Sequence, residues 1–432
     1  MVSQTCSEKT PEERLIFWSI GLTYVFYALG ALYVVAPVIG WCLLLLVLWR
    51  FASADERFRI PGIGVWIWWL ATVAILVALV VGHFDYGLSR SQLIKSIIGW
   101  AKGWAMFPVF ITVGACLSIR LQVLARAANI VSVQTLILAP FLVAAAYIGI
   151  PPEIWVSPLS AVGGPGPEFF SFRLYGVSPD GAFRWAFFAP WAPGAGMAAV
   201  TLLALGVMDQ DRRWIAAGTL GVLAMAVLVK SRLALLGLPI ALGAGFVLCN
   251  MRVSALHFFG ALCVLSIGLL WGPIVETLLD AKEAFENYRS NSTEVRSTLQ
   301  AIAGYRYIEA PIWGHGIQDS GTHIVAFMPI GSHHTWYGLL FVKGLVGVVA
   351  FAIPMILSVV VLIVRGQSSH AAMAGLMVLI GMWIYSFGEN LEVLAYLFWI
   401  GLVAIGMGMR RTEEDPVLAN GAFMQGERME PA

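Results

Sequence analysis

The chain has 432 residues, of which 59% are hydrophobic and only 12% are charged, and its mean hydropathy is +0.82. These values lie outside the usage of soluble globular domains and exclude that class. The net charge of +1, without any basic tract, excludes nucleic acid as an expected partner. The composition therefore predicts an all-α polytopic membrane protein surrounded by a lipid bilayer.

Apolar runs of about 20 residues, each long enough to cross a bilayer as a helix, follow one another along the chain. They begin near Leu15, Tyr33, Ile63, Ile97, Val131, Trp191, Trp214, Leu233, Ala255, Thr335, Ala371 and Leu391. We expect about twelve transmembrane helices in a single domain, residues 1–410, followed by a disordered cytoplasmic tail, residues 411–432. Residues 1–14 are polar and mixed in charge, which predicts that no cleaved signal peptide is present.

Basic residues mark the loops that follow the even-numbered helices. They are Arg50, Arg57, Arg59, Arg120, Arg126, Arg212, Arg213, Arg252, Arg365, Arg410 and Arg411. Because Lys and Arg in short loops resist translocation, this register predicts that both termini are cytoplasmic. It also predicts two long external loops, residues 149–190 and 274–332.

Several basic residues fall on the translocated side, where they are usually avoided. They are Arg173, Arg184, Lys230, Arg232, Arg289, Arg296 and Arg306. This placement indicates an anionic ligand, and Arg suits bidentate contact with phosphate. The alternatives are that Lys230 and Arg232 mark a tight turn beside lipid headgroups, and that the other arginines are solvated loop charges.

Histidines stand where the second long loop meets the apolar run that begins at Thr335. Imidazole can accept a proton near neutral pH, so His333 or His334 suits a general base acting on a hydroxyl. A hydrogen-bonded or helix-capping role is the alternative, and we favour it for His315 and His323. A metal site formed by the four histidines is disfavoured, because their spacing matches no zinc pattern and no Cys joins them.

The same loop contains the pattern of an amphipathic helix. Asn291 and Glu294 have the spacing of a helix N-terminus, and Leu299 and Ile302 share one apolar face. Pro311 closes the segment. A surface helix of about four turns is therefore expected here.

Short motifs between about Arg173 and Gly347 together resemble the O-antigen ligase/polymerase family. Their order and shared external placement are more specific than any one of them. They are the Arg-x-x-Gly at 173–176, Ser231-Arg232, Arg296, the Pro-x-x-Gly-x-Gly at 311–316, His333-His334 and the Gly-x-x-Gly at 344–347.

This resemblance implies a membrane glycosyltransferase that acts on the periplasmic face of the bacterial inner membrane. It would transfer a glycan from a polyprenyl-pyrophosphate carrier to a hydroxyl of the lipid A core, with inversion and without a metal or cofactor. Counting back from Gly344 places His333 at the family's catalytic His and His334 at the following Asn, although a slip of one residue would exchange them. The residues implied to bind the pyrophosphate are Arg232, Arg296, Arg173 and Arg289.

Other functions remain open. Within the same family, the chain could polymerise repeat units onto a glycan acceptor or transfer glycan to protein. From another class, it could be a transporter or flippase of an anionic lipid-linked substrate, which should need polar residues at mid-membrane depth. The candidates for that role are few and lie near one helix end: Glu389, Asn390 and Glu392.

Overall fold

The computed structural model describes residues 8–178, 181–269, 271, 272, 275, 290–319, 329–332 and 334–411. Helices dominate this part of the chain. They are α1 (Pro11–Gly21), α2 (Thr23–Ala28), α3 (Leu32–Ala52), α4 (Ile63–Asp85), α5 (Arg90–Lys102), α6 (Met106–Cys116), α7 (Leu121–Ile148), α8 (Ala192–Gly206), α9 (Arg212–Val229), α10 (Arg232–Cys249), α11 (Ser254–Leu269), α12 (Ser290–Arg306), α13 (Thr335–Gly366), α14 (His370–Ser386) and α15 (Leu391–Gly408).

Eight helical segments in the described ranges are long and apolar enough to cross a membrane. They are α3, α4, α5 together with α6, α7, α9, α10, α13 and α15. Three shorter apolar helices lie at Ala192–Gly206, Ser254–Ser266 and His370–Ser386. The chain thus has the helical character that its composition predicts, while the count of about twelve spans stays a prediction.

Small residues bring the central helices into close contact. Gly114 of α6 lies against the backbone carbonyl of Val403 in α15, and Gly406 of α15 lies against the carbonyl of Ile111 in α6. A side chain at either glycine would overlap the facing backbone. Helices in lipid associate mainly through such close packing, because lipid tails are as apolar as the side chains.

Arginines tie together one end of the bundle, which we call the ion-pair end. The pairs are Arg50–Glu12 at 3.0 Å, Arg120–Glu13 at 2.7 Å and Arg126–Asp209 at 2.7 Å. The guanidinium of Arg410 donates to the carbonyls of Gly114, Leu117 and Ile119 at 2.6–3.1 Å. These arginines belong to the loops predicted to be cytoplasmic, and each has a partner on another helix or loop.

The opposite end, which we call the cavity end, carries short strands that the all-α prediction omitted. Strands β1 (Glu153–Val156) and β2 (Ser171–Arg173) pair antiparallel, as do β3 (Gly176–Val177) and β4 (Phe183–Arg184). Because this loop packs onto the helix ends, its backbone groups need partners, which strand pairing supplies. Phe169 and Phe170 anchor it against Tyr33, with ring centroids 5.2 and 5.8 Å away.

Helix α13 is unusually long. Its 32 residues form two helical stretches that meet at a break at Gly344, and the second stretch, residues 345–366, alone extends over about 33 Å, whereas the hydrocarbon core of a bilayer is about 30 Å thick. Its beginning lies at the cavity end, where the amide of Thr335 donates to the carbonyl of Glu389 at 3.1 Å. The first turns of α13 therefore extend beyond the length that a membrane crossing needs.

Candidate functional site

A break in α13 organises the second long loop. Gly344 has φ +63° and ψ −163°, which interrupts the helix and lies in a region that favours glycine. The carbonyls of Phe341 and Val342 accept instead from the amides of His315 and Gly316, at 2.9 and 3.0 Å. The segment 311–316 is therefore hydrogen-bonded into the break.

The same segment supplies the acceptors beyond the break. The amides of Leu345 and Val346 donate to the carbonyls of Pro311 and Ile312, at 2.9 and 3.2 Å. Gly344 also faces the carbonyl of Ile312 so closely that a Cβ there would overlap it. The Pro-x-x-Gly-x-Gly and Gly-x-x-Gly motifs thus meet in one structure and position the loop.

His315 is held inside this structure. Its Nδ1 lies 3.0 Å from the carbonyl oxygen of Phe341, and its Nε2 lies 3.0 Å from a carboxylate oxygen of Glu309. Both neighbours are acceptors, so a ring with a proton on each nitrogen satisfies both contacts. The hydrogen bond from His315 holds the pKa of Glu309 below its ordinary value. The prediction of a hydrogen-bonded loop histidine is confirmed for His315.

Arg306 forms ion pairs with two neighbouring acidic residues. Its guanidinium contacts Glu309 at 3.2 Å and also pairs with Asp319. These carboxylates raise the pKa of Arg306 further, the hydrogen bond with Asp319 being the largest cause. Arg306 is thus a structural charge of the loop.

A cavity of about 220 Å³, whose lining includes charged and amide side chains, lies beside the break in α13. We call it the Lys–Glu cavity, because Lys343 of α13 and Glu392 of α15 both line it. Lys343 is only 6% exposed, and its Nζ lies 3.4 Å from the carbonyl of Gly316. Lys343 was not among the site residues predicted from the sequence, although a lysine within an apolar run was a usable signal, and Glu392 was named only as a candidate residue for transport.

His334 caps α13. Its Nδ1 accepts from the amides of Trp336 and Tyr337 at 3.1 and 3.3 Å, and its ring is buried against Tyr337. A neutral imidazole that accepts at Nδ1 carries its proton on Nε2. Because Nε2 of His334 already carries the ring proton, it cannot accept a proton as a general base would. His333 lies outside the described residues.

Three residues join the start of α13 to the start of α8, directly after the loop at 149–190. The hydroxyl of Thr335 donates to the backbone carbonyl of Glu389 at 2.7 Å. The indole Nε1 of Trp191 donates to the carboxylate of Glu389 at 2.9 Å. Glu389 is buried, with 1% of its surface exposed. Trp191 also lines a second cavity.

This second cavity has a volume of about 250 Å³, and we call it the arginine cavity because Arg173 and Arg184 line it. Nε of Arg173 donates to Glu153 at 2.7 Å, which lowers the pKa of that carboxyl. Tyr27 fixes the backbone of Arg173, since its hydroxyl donates to the carbonyl at 2.7 Å and accepts from the amide at 3.0 Å. Arg184, which was not among the predicted pyrophosphate ligands, therefore shares a cavity with Arg173.

Of the other predicted pyrophosphate ligands, the structure describes the side chain of Arg232 but not those of Arg296 and Arg289. Arg232 is the first residue of α10 and is half-buried, and the next residue, Leu233, packs on Gly388 at the cavity end. Arg296 lies in α12, but its side chain is outside the described part, as is the whole of Arg289. The predicted amphipathic helix is present as α12, whose buried Leu299 packs in one cluster with Phe341.

Among the described residues, no three His, Cys, Asp or Glu side chains are close enough to hold a metal ion. A site formed by the four histidines would include His323 and His333, which fall outside those residues. No protein-family model matches the chain, and no curated protein matches it.

Proposed function

We propose that the chain is a membrane glycosyltransferase of the O-antigen ligase type. It transfers a glycan from a polyprenyl-pyrophosphate carrier to an acceptor hydroxyl, for which we propose the lipid A core. The observation that carries the proposal is the hydrogen-bonded link from Thr335 through Glu389 to Trp191. This link joins the helix start that follows the histidine pair to a cavity lined by two arginines.

The arginine cavity suits a pyrophosphate leaving group. Negative charge develops on the pyrophosphate as its bond to the sugar breaks, and positioned guanidinium groups stabilise that charge. Because Glu153 binds Nε of Arg173, the two terminal nitrogens of Arg173 are the ones that can donate to a phosphate. Arg184, on strand β4 of the second two-stranded sheet, supplies another guanidinium. Arg232, Arg296 and Arg289 stay in the proposal as further ligands of the same group.

We assign the general base to His333. It would remove the proton of the acceptor hydroxyl while the oxygen attacks the anomeric carbon, so that direct displacement inverts that carbon. The capping bonds of His334 support this choice, because they use Nδ1 and leave the ring proton on Nε2. Arginines carry the charge of the leaving group in this scheme, so a chelator should leave most of the activity intact.

The proposal includes an orientation. The cavity end faces the periplasm, the ion-pair end faces the cytoplasm, and about twelve helices cross the inner membrane. The length of α13 supports this arrangement. About 20 residues suffice to cross the bilayer, so the first turns of α13, with Lys343, can lie at the outer membrane surface.

A transporter or flippase is the second candidate, and the buried Lys343 and Glu392 favour it, since ionisable residues within membrane helices often line transport pathways. The depth of these residues weighs against it. Glu392 is the second residue of α15, and Lys343 precedes the break in α13, so both lie near helix ends. Transport sites are expected near the midplane of the membrane.

The test is a transfer assay with purified full-length protein in vesicles. The probes are a radiolabelled polyprenyl-pyrophosphate glycan and, separately, lipid A core or a second glycan chain. We expect released polyprenyl pyrophosphate and labelled acceptor in equal amounts. Product on lipid A core indicates a ligase, whereas lengthened glycan indicates the alternative, a repeat-unit polymerase. Movement of the intact donor between leaflets without any release would refute the enzyme and support the transporter.

A further inference from the structure

The Lys–Glu cavity has no role in the chemistry proposed above. It is bounded by the end of α4, the helix α5 and Trp104 after it, the loop residues 316–318 and 331, the start of α13 and the start of α15. Asn390, which lines it, follows Glu389 directly in the chain, and Glu389 binds Trp191 of the arginine cavity. The two cavities are therefore close neighbours at the cavity end.

Opposite charges face this cavity without pairing directly. Lys343 and Glu392 both line it, yet no ion pair within 4.0 Å joins these two described side chains. The ammonium of Lys343 has three donors, and the carbonyl of Gly316 at 3.4 Å accepts one of them. Buried charges need hydrogen-bonding partners, so a ligand that both accepts and donates can bridge them.

The uncharged polar groups add both kinds of partner. Oδ1 of Asn390 accepts from the amide of Glu392 at 3.0 Å, so its amide nitrogen is the group that can donate to a ligand. Nε2 of Gln318 donates to the carbonyl of Gly331 at 3.4 Å, so its carbonyl oxygen is the group that can accept. The cavity thus offers donors and acceptors on different walls.

Ser96 provides another acceptor, because the histidine behind it is oriented. Nδ1 of His83 lies 2.8 Å from the carbonyl of Leu79 and must donate to it. Nε2 of His83 then accepts from the hydroxyl of Ser96 at 3.0 Å, and the oxygen lone pairs of Ser96 remain for a ligand. Trp104 also lines the cavity, although it is 3% exposed and its ring packs against Phe107 and Phe351.

These features match the chemistry of a sugar. Each hydroxyl of a sugar both donates and accepts a hydrogen bond, so one ring can meet donors and acceptors that lie on different walls. The cavity of about 220 Å³ is smaller than the roughly 300–1,000 Å³ typical of larger ligands, which favours one ring. An anion is disfavoured, because the carboxylate of Glu392 would lie beside it.

We propose that the Lys–Glu cavity binds one neutral pyranose unit of the glycan substrate, next to the arginine cavity that takes the charged carrier. This inference rests on the proposed function for its choice of glycan, but binding can be measured without any transfer. The two cavities then bind different parts of the substrate. The charged pyrophosphate binds to the arginines of the arginine cavity, and the neutral ring binds to Lys343, Glu392 and the side-chain amides of the Lys–Glu cavity.

The experiment is saturation-transfer NMR on the purified full chain in detergent. The probes are the methyl glycosides of glucose, galactose, mannose, N-acetylglucosamine and rhamnose. We expect at least one to bind the wild-type protein. Lys343→Met and Glu392→Gln should each weaken its Kd by about tenfold or more, because each removes a hydrogen bond to a charged group. Lys95→Met and Glu56→Gln are matched controls on exposed residues and should leave the Kd unchanged.

Folding is checked by thermal unfolding of each variant. If the single variants unfold because one buried charge lacks its counterpart, two others replace them: the double variant Lys343→Met/Glu392→Gln, and Gln318→Leu, which keeps both charges. Absence of binding by every glycoside to the wild-type protein overturns the inference. So does an unchanged Kd in the folded variants.

The outcomes also separate this inference from the proposed function. Glycan transfer by a wild-type protein that binds no methyl glycoside would sink the cavity assignment alone. Glycoside binding that depends on Lys343 and Glu392, in a protein without transferase activity, would establish the saccharide site and refute the transferase.

Discussion

The indole of Trp191 donates to the carboxylate of Glu389 at 2.9 Å, although 198 positions separate the two residues in the chain. Trp191 lines the arginine cavity, and the backbone carbonyl of Glu389 receives the hydroxyl of Thr335 at the start of α13. This contact connects the part of the chain that we propose binds pyrophosphate with the part that follows the proposed base.

The first prediction tests this contact. Trp191→Phe keeps an aromatic wall but removes the donor, and a lost hydrogen bond to a buried carboxylate costs about 1.5–3 kcal/mol. We expect glycan transfer to fall at least about tenfold while the protein still inserts, as measured by turnover at matched expression. Trp155→Phe is the control, because the indole of Trp155, in the loop at 149–190, donates to the carbonyl of Ala28 in α2 and not to the site. Equal turnover in both variants would remove the link from the site.

The second prediction concerns the histidine pair. His333→Ala should lower transfer by about 10²–10⁴-fold, the usual contribution of a positioned base, without loss of donor binding. His334→Asn keeps an N-cap acceptor and should transfer nearly normally, whereas His334→Ala should lose about 1 kcal/mol of helix stability. Transfer and donor binding are measured side by side. Inactive His334→Asn with active His333→Ala would reverse the assignment.

The third prediction separates the arginines of the arginine cavity from membrane-surface charges. Arg173→Lys and Arg184→Lys keep the charge but lose the planar fork that binds phosphate in two places. Each should raise the Kd for the lipid-linked donor and lower turnover, and Arg232→Lys should do the same if Arg232 joins the site. The exposed Arg90, on α5, is the matched control. Donor binding that tolerates all three changes would contradict pyrophosphate recognition.

The sequence predicted the helices well because burial in lipid depends mainly on composition and length. The apolar runs that begin near Tyr33, Ile63 and Thr335 correspond to α3, α4 and α13. It also placed Arg173, His334 and Arg232 at one end of the bundle, because alternating basic loops indicate direction. The amphipathic pattern around Leu299 similarly predicted α12.

What the sequence could not show depends on contacts between distant segments. The strands at 153–184 form because a packed loop must pair its backbone groups. No alternation of apolar and polar residues in this segment predicts them. Glu389 links the two parts of the site through its hydrogen bond with Trp191, a residue 198 positions away in the chain. Lys343 directly precedes the glycine motif at 344–347, but Glu392, which lines the same cavity, comes from another helix.

The fourth prediction concerns the break in α13. Gly344→Ala forces a side chain into a left-handed conformation against the carbonyl of Ile312, so it should destabilise the fold by about 1–3 kcal/mol or more. The matched control is Gly243→Ala in α10, where a Cβ meets nothing within 4 Å. Thermal unfolding in detergent compares the two. Similar unfolding temperatures would show that the break tolerates a side chain and that the loop is not held as described.

The last prediction is a pH dependence in the loop that carries His315. The hydrogen bond from His315 lowers the pKa of Glu309, so the ionised carboxylate favours the folded loop. For a carboxyl with a lowered pKa, this stabilisation is present above the ordinary value of about 4.3 and is lost as the pH falls through the lowered value. Hydrogen exchange at the amides of His315 and Gly316, which donate to Phe341 and Val342, measures it. After correction for intrinsic rates, we expect protection to fall between about pH 5 and 3 in the wild-type protein.

Glu309→Gln should be less protected at pH 7 and should lack this transition, while Glu56→Gln, on an exposed residue outside the loop, should match the wild type. A transition of the same size in Glu309→Gln would mean that other carboxyls control the loop and that the His315–Glu309 contact does not stabilise it.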